Sequence, residues 1–300
     1  MMKIKDSFHP YAITTILFWS LAYVFTRLAL RYFSAFSLGF LRFLIATCVL
    51  VIVALLTKMK MPRRADMKWF LAAGAFGFFL YMMAFNKGTE TVTAATGSVV
   101  IATVPVITAL LARFISREKL SRFKWIAIAV EFSGVIVLTL MAGTLTVNAG
   151  LFYLFLAAIS LSAYNLLQRK LTKTYSALQT SAFSIFAGTI MLAVFLPNAV
   201  VEVQAAPPIQ LFYVAILGVF SSAIAYVAWS QAFAKAADTS SVSNYMFVTP
   251  FSTSLLGFLI AGEKLTAPTI IGGTIILFGL LIFNFGDRLA TRLRREMLNR

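Results

Sequence analysis

Apolar residues run through this chain in long blocks, not in the alternating or one-faced patterns of water-soluble elements. Ten blocks can be drawn, over 11–32, 36–57, 69–88, 92–114, 123–141, 149–170, 175–196, 210–234, 239–261 and 269–286. A hydrocarbon core of ~30 Å takes about 20 apolar residues as helix, and each block supplies roughly that length. The pattern therefore predicts an all-α integral membrane protein of ten transmembrane helices, with loops too short to hold a soluble catalytic domain. Met1–Lys5 and the run after Pro10 imitate a secretory signal, but the run continues through Leu30 without a small-residue cleavage site. It is read as the first span.

The second half of the chain repeats the first. A shift of 145 residues superposes Ser98 on Ser243, Pro105 on Pro250, Thr108 on Thr253, and Glu118-Lys119-Leu120 on Glu263-Lys264-Leu265, and it pairs Tyr81 with Tyr226 and Gly134 with Gly279. Leu and Ile coincide easily in apolar sequence, whereas Pro and Glu-Lys at one fixed offset do not. Residues 1–145 and 146–300 are expected to be two five-helix repeats of one membrane domain. Because five is odd, the second repeat enters the bilayer from the other side, which makes the repeats inverted. Two like halves can pack in two arrangements of similar energy, opening a central site first to one side and then to the other. Pro105 and Pro250 alone lie in mid-span, so spans four and nine are expected to break there and act as hinges.

Composition agrees with the pattern: 60 % of the 300 residues are hydrophobic and 12 % charged. A net charge of +16 would suggest nucleic acid in a soluble protein, but the charges sit elsewhere. With a cytoplasmic N-terminus, the inside segments hold Lys58, Lys60, Arg63, Arg64, Lys68, Arg113, Arg117, Lys119, Arg122, Lys124, Arg169, Lys170, Lys173 and Lys235. The outside ends hold Arg31, Arg42, Lys87 and Lys264. This bias places both termini in the cytoplasm of a multi-pass protein of the cell membrane, with the lipid bilayer as partner and no nucleic acid. Cys48 has no second cysteine to pair with, and His9 is the one histidine, so neither a His/Cys metal cluster nor a His-based triad can form. No cofactor, metal or enzymatic activity is expected.

Polar and aromatic residues inside the spans are the candidate chemistry. Trp19, Tyr23 and Arg27 recur every four residues on span one; Tyr164, Asn165 and Gln168 lie on span six, Tyr81 and Phe85 on span three, Tyr226 and Trp229 on span eight, and Asn244 on span nine. Rings with a polar tip, together with amides, suit a small amphipathic organic solute better than a bare ion. Trp19, Tyr23, Arg27, Tyr81, Tyr164, Asn165, Tyr226, Trp229 and Asn244 are therefore the candidate substrate-binding residues. Arg27 either meets a substrate carboxylate or snorkels to the headgroups. Glu131 of span five either titrates or pairs with Arg113. Gly272, Gly279 and Gly286, seven apart on span ten, form a small-residue stripe for close approach of another helix or a second protomer.

Ten spans in two halves, mid-helix Pro105 and Pro250, and the turns Arg117-Glu118-Lys119-Leu120 and Gly262-Glu263-Lys264-Leu265 resemble the EamA-type carriers of the drug/metabolite transporter superfamily. The resemblance spans nearly the whole chain. It implies a ten-helix inner-membrane carrier that mostly exports amino acids or other small metabolites, and it implies nothing about which one. The glutamate-lysine turns read as helix boundaries with a local ion pair. The expected function is a secondary transporter working by alternating access; an uncoupled facilitator and a small-ligand receptor or sensor are the alternatives. A coupling proton and the oligomeric state stay open.

Overall fold

The computed structural model describes residues 7–89, 91, 100–140, 149–261 and 267–298. Among these residues the chain is all helix, in ten rods. Span one is His9–Ala29 and span two Ala35–Leu56. Span three runs through Met67–Gly74, a π segment Ala75–Leu80, and Tyr81–Thr89; span four is Val104–Ile115 and span five Arg122–Leu140. Span six is Ala149–Leu171. Span seven is Ala177–Leu192, continued by Ala193–Phe195 and Leu196–Ala205. Span eight joins Pro208–Ile216, a π segment Leu217–Ile224, and Ala225–Lys235. Span nine joins Thr239–Ser243, a 3-10 segment Asn244–Val248, and Thr249–Ala261, and span ten is Ala267–Leu298. Among the described residues six stretches are long and apolar enough on their own to cross a membrane: Ala35–Leu56, Arg64–Gly88, Ala149–Leu171, Ala177–Ala205, Pro208–Lys235 and Ala267–Asp287.

The repeated sequence produces repeated irregularities. Pro105 and Pro250 each occupy the second position of a new helical segment, Val104–Ile115 and Thr249–Ala261, where a missing N–H removes no intrahelical bond. The breaks expected at these prolines are present, and residues 92–99 of the expected span four lie outside the described residues. In the same way a π segment lies immediately before Tyr81 in span three and before Ala225-Tyr226 in span eight. Span seven departs from expectation: its helix runs past Pro197 to Ala205, because a 3-10 turn at Ala193–Phe195 restarts the helix with the proline in its tolerated first turn.

Span neighbours are exchanged symmetrically between the halves. Span three packs on spans six and seven, and span eight on spans one and two; span one meets span nine as span six meets span four. Spans two and seven, and spans five and ten, pair with each other. The glycine stripe of span ten faces span five, which answers the question of its partner. A Cβ at Gly272 would lie 2.6 Å from the Gly134 carbonyl oxygen, and one at Gly279 2.4 Å from Glu131 Cγ, so the two backbones approach as only glycine permits.

Loops after even-numbered spans share one end of the bundle. Tyr175 donates its hydroxyl to Asp66 and accepts from the Arg63 amide, and the Gln179 side chain donates to the Lys60 carbonyl, joining the loops after spans two and six. Arg169 at the end of span six donates to the Ala237 carbonyl, and Lys124 to Asp238, which adds the loops after spans eight and four. This end, rich in Lys and Arg, is called the basic face below. At the other end the Ser34 amide donates to Glu202, tying the loop after span one to the end of span seven. Alternate loops at alternate ends is what successive crossings of a bilayer require.

Candidate functional site

Five spans bring aromatic side chains to one place. Ring centres of Trp19 on span one lie 5.2 Å from Tyr226 and 5.1 Å from Trp229 on span eight. Tyr226 is 5.0 Å from Phe78 of span three and 5.9 Å from Tyr164 of span six, and Phe43 of span two closes on Phe78 at 4.8 Å. The rings meet tilted or edge-on, the arrangement their quadrupoles favour. Local backbone makes the room: Gly77, inside the π segment of span three, lies under the Tyr164 ring, where a Cβ would come within 2.2 Å of Cδ2. A larger residue at 77 would expel that ring.

A buried polar seam runs alongside. Trp229 Nε1 donates to Asn165 Oδ1 at 3.1 Å, and Asn165 Nδ2 donates to Thr108 Oγ1 at 3.3 Å, linking spans eight, six and four. Ser230 donates to Gln168 at 2.6 Å, and Ser181 of span seven bonds both the Ser230 hydroxyl and the Tyr226 carbonyl. The Tyr164 hydroxyl, fully buried among the rings, has no hydrogen-bond partner among the described residues. Of the nine such atoms among the described residues it is the one borne by an aromatic ring, and it is free to bind something else.

Of the residues expected from sequence, Trp19, Tyr164, Asn165, Tyr226 and Trp229 come together. Tyr81 stands half-buried at the edge, stacked on Phe85 at 5.6 Å. The side chains of Tyr23 and Arg27 lie outside the described residues. Asn244 lies elsewhere: it is buried on span nine and donates to Glu131 Oε1 at 2.8 Å. Glu131 is thus held by an amide and not by Arg113, whose side chain is exposed at the end of span four. Phe43, Phe78, Thr108 and Ser181 belong to the site without having been singled out. Phe43 and Phe78 are two of 29 phenylalanines, and no local pattern marks them.

Exposure across the site is lopsided. Trp229, Phe233, Tyr164 and Gln168, in the halves of spans six and eight that lead to the basic face, are fully buried, whereas Trp19, Tyr81 and Phe85 are only partly so. The basic face is also latched. Glu118, in the turn after span four, accepts from the Thr239 amide at 2.9 Å and from its hydroxyl at 2.6 Å, holding the first turn of span nine. A left-handed residue, Arg117 with φ 55°, turns the chain so that Glu118 can reach. The expectation of a purely local glutamate-lysine pair is therefore corrected for Glu118, whose carboxylate serves a helix start instead. The matching turn at Glu263 and Lys264 lies outside the described residues. Lys124 meets Asp238 at 2.8 Å beside it. Burial pushes the Asp238 carboxyl up, but the Lys124 ammonium and the Ser241 donors outweigh burial and hold it below its ordinary value.

Several known proteins resemble this chain in sequence. It is 29 % identical to the uncharacterized transporter YdfC of Bacillus subtilis, over 87 % of this chain and 86 % of that one. It is 27 % identical to a protein of Streptantibioticus cattleyicolor named as a probable terminal-alkyne amino-acid exporter, over 91 % of each chain. Identity to the uncharacterized inner membrane transporter YedA of Escherichia coli is 25 %, over 90 % of this chain and 88 % of the relative. A crystal structure of a chain 18 % identical superposes with a TM-score of 0.76, over 94 % of this chain and 97 % of the other, and shares its fold. The profile described as the EamA-like transporter family matches twice, at residues 8–140 and 148–285. With both matches laid over the ten rods, the chain belongs to the EamA-like transporter family.

Proposed function

We propose that this transporter is a secondary carrier that exports small amphipathic organic solutes, amino acids foremost, by alternating access through the aromatic core between spans one, three, six and eight. The carrying observation is the Trp19–Tyr226–Trp229–Tyr164 cluster, with the Tyr164 hydroxyl unpartnered among the described residues. Ring faces accept an apolar portion, while the Tyr164 hydroxyl and the Asn165 amide offer polar contacts. Arg27 and Tyr81 are assigned to the same cavity on sequence grounds, and the amino-acid exporter of S. cattleyicolor lends the substrate class. Residues 1–145 and 146–300 act as two inverted halves in one domain; the exchange of span neighbours supports this. The basic face is cytoplasmic, in keeping with the positive-inside bias, so both termini are cytoplasmic and the described conformation is closed inward.

The test is uptake and exchange of radiolabelled amino acids, nucleosides and cationic drugs by proteoliposomes of the purified protein. Exchange of one class, lost on Tyr226→Ala with insertion intact, supports the reading. Wild-type binding of a transported solute in both Tyr164→Phe and Tyr226→Ala places the site elsewhere. Binding without movement in any vesicle would mark a receptor, and movement that never exceeds the gradient an uncoupled facilitator. Orientation is checked in a Cys48→Ser background: a cysteine at Lys60 is shielded from an impermeant reagent in intact cells, and one at Ala206 reacts.

A further inference from the structure

Glu131 and Asn244 form a second polar site, apart from the aromatic core. Glu131 is fully buried on span five, and the face of span ten bearing Gly279 is pressed against it. Charged and titratable groups on the elements around it are engaged elsewhere. Lys124 on span five binds Asp238 and faces the Phe283 ring; Tyr245 on span nine meets His9; Arg113 on span four is exposed; Asp287 lies well beyond Gly279 along span ten. The Asn244 amide is the one hydrogen-bond partner of the Glu131 carboxyl among the described residues.

Hydrogen-bond accounting exposes a mismatch that one proton resolves. Glu131 Oε1 accepts from Asn244 Nδ2, but Glu131 Oε2 and Asn244 Oδ1 are both buried without a partner among the described residues. With the carboxyl ionised both are acceptors and have nothing to offer each other. A proton on Oε2 would make it a donor, and a second bond from it to Oδ1 would complete an acid–amide pair with no polar atom of the contact unsatisfied. Asn244 is also the first residue of the 3-10 segment Asn244–Val248, which ends at the Pro250 break, so any bending of span nine there moves the amide relative to span five.

We propose that Glu131 and Asn244 form a proton-binding site that couples transport to a pH gradient: Glu131 holds one proton while paired with Asn244, and gives it up when span nine swings the amide away and water enters. A carboxylate stripped of its amide partner inside the bundle needs water, which ties proton release to opening. This rests on the carrier reading above, but one arm of its test does not need a substrate. In infrared difference spectra of the purified protein across a pH titration, a protonated-carboxyl band present at neutral pH in wild type and missing in Glu131→Gln identifies Glu131 as the proton holder. Absence of that band in wild type overturns the proposal whatever the protein carries. In proteoliposomes, with an amino acid that wild type exchanges, Glu131→Gln keeps the amide-pairing shape; it retains exchange but loses both pH-gradient-driven accumulation and proton movement reported by an enclosed dye. Asn244→Ala keeps the carboxyl and shifts the band's titration. Gradient-driven accumulation surviving in Glu131→Gln, or accumulation driven by sodium and not by protons, refutes the coupling site while leaving the carrier standing.

Discussion

Trp229 donates its indole N–H to Asn165 across 3.1 Å between spans eight and six, with both side chains fully buried. The bond does two things at once. It orients the Trp229 ring against Trp19 and so shapes the wall of the aromatic core, and it holds together two spans of the second half of the chain. Asn165 also binds Thr108 on span four just beyond the Pro105 break, so the site and the break share a residue.

Removing one partner of that bond is expected to cost more than the bond itself contributes. Asn165→Leu strands a buried indole donor and the Thr108 hydroxyl, a penalty of about 1–3 kcal/mol for each unsatisfied group. Trp229→Phe removes the donor and leaves Asn165 with Thr108, a smaller loss. Thermal unfolding in detergent should rank the variants Asn165→Leu below Trp229→Phe below wild type, and both should weaken solute binding. An Asn165→Leu protein as stable as wild type would show that the seam contributes nothing.

The latch at the basic face carries a pH dependence with a definite sign. Asp238 is held below its ordinary value of 3.8 by Lys124 and Ser241, in spite of burial, so its ionised form favours the folded state. That contribution is complete above pH 3.8 and is lost as pH falls through the lower value of the folded protein. Asp238→Asn keeps an N-cap for Ser241 but drops the charge. Melting curves of the variant should lie below those of wild type at neutral pH and converge with them in the acid range. A gap that persists at acid pH would trace the loss to packing and not to charge.

Spans five and ten should tolerate no side chain at their closest point. A Cβ at Gly279 would stand 2.4 Å from Glu131 Cγ and 3.0 Å from the Glu131 amide, with backbone on one side and a buried carboxyl stem on the other. Gly279→Ala is expected to lower stability by about 1–3 kcal/mol, the usual cost of overpacking. Gly286→Ala, whose Cβ would meet Phe123 at 3.2 Å, is expected to be milder. Detergent-solubilised Tm values of the two variants check the order, and equal values would mean that the helices slide apart freely.

The helical rods, the repeat and the two proline breaks were legible in the sequence because each rests on a local rule: apolar length, a fixed offset, a missing N–H. The aromatic core was legible in part, since Tyr and Trp within apolar helix are conspicuous. What the sequence hid depends on contacts between distant segments. Glu118 reads as half of a neighbouring ion pair until span nine is seen to begin beside it, at Thr239. Glu131 has two candidate fates in sequence, and span nine removes the pairing with Arg113 by presenting Asn244 instead. Three glycines on span ten define a face but not what it meets. The extension of span seven past Pro197 was missed because a proline after an apolar block reads as a terminator, unless a 3-10 turn restarts the helix ahead of it.

Pro105 and Pro250 are expected to govern rate more than fold. Each stands one residue into a new segment, next to a stretch that is already irregular: the turn at residues 102–103 and the 3-10 run Asn244–Val248. Alanine at either site supplies an N–H and lets the helix grow backward through the break, which straightens the span and stiffens it against reorientation. Such a change acts on conformational exchange and leaves the aromatic core in place, so turnover should fall while equilibrium binding of the transported solute stays near wild type. Span nine also carries Asn244, so Pro250→Ala should slow transport more than Pro105→Ala. Transport rates and binding constants measured on the two single variants and the double variant decide the question: unchanged turnover in all three would make both breaks static features of the bundle.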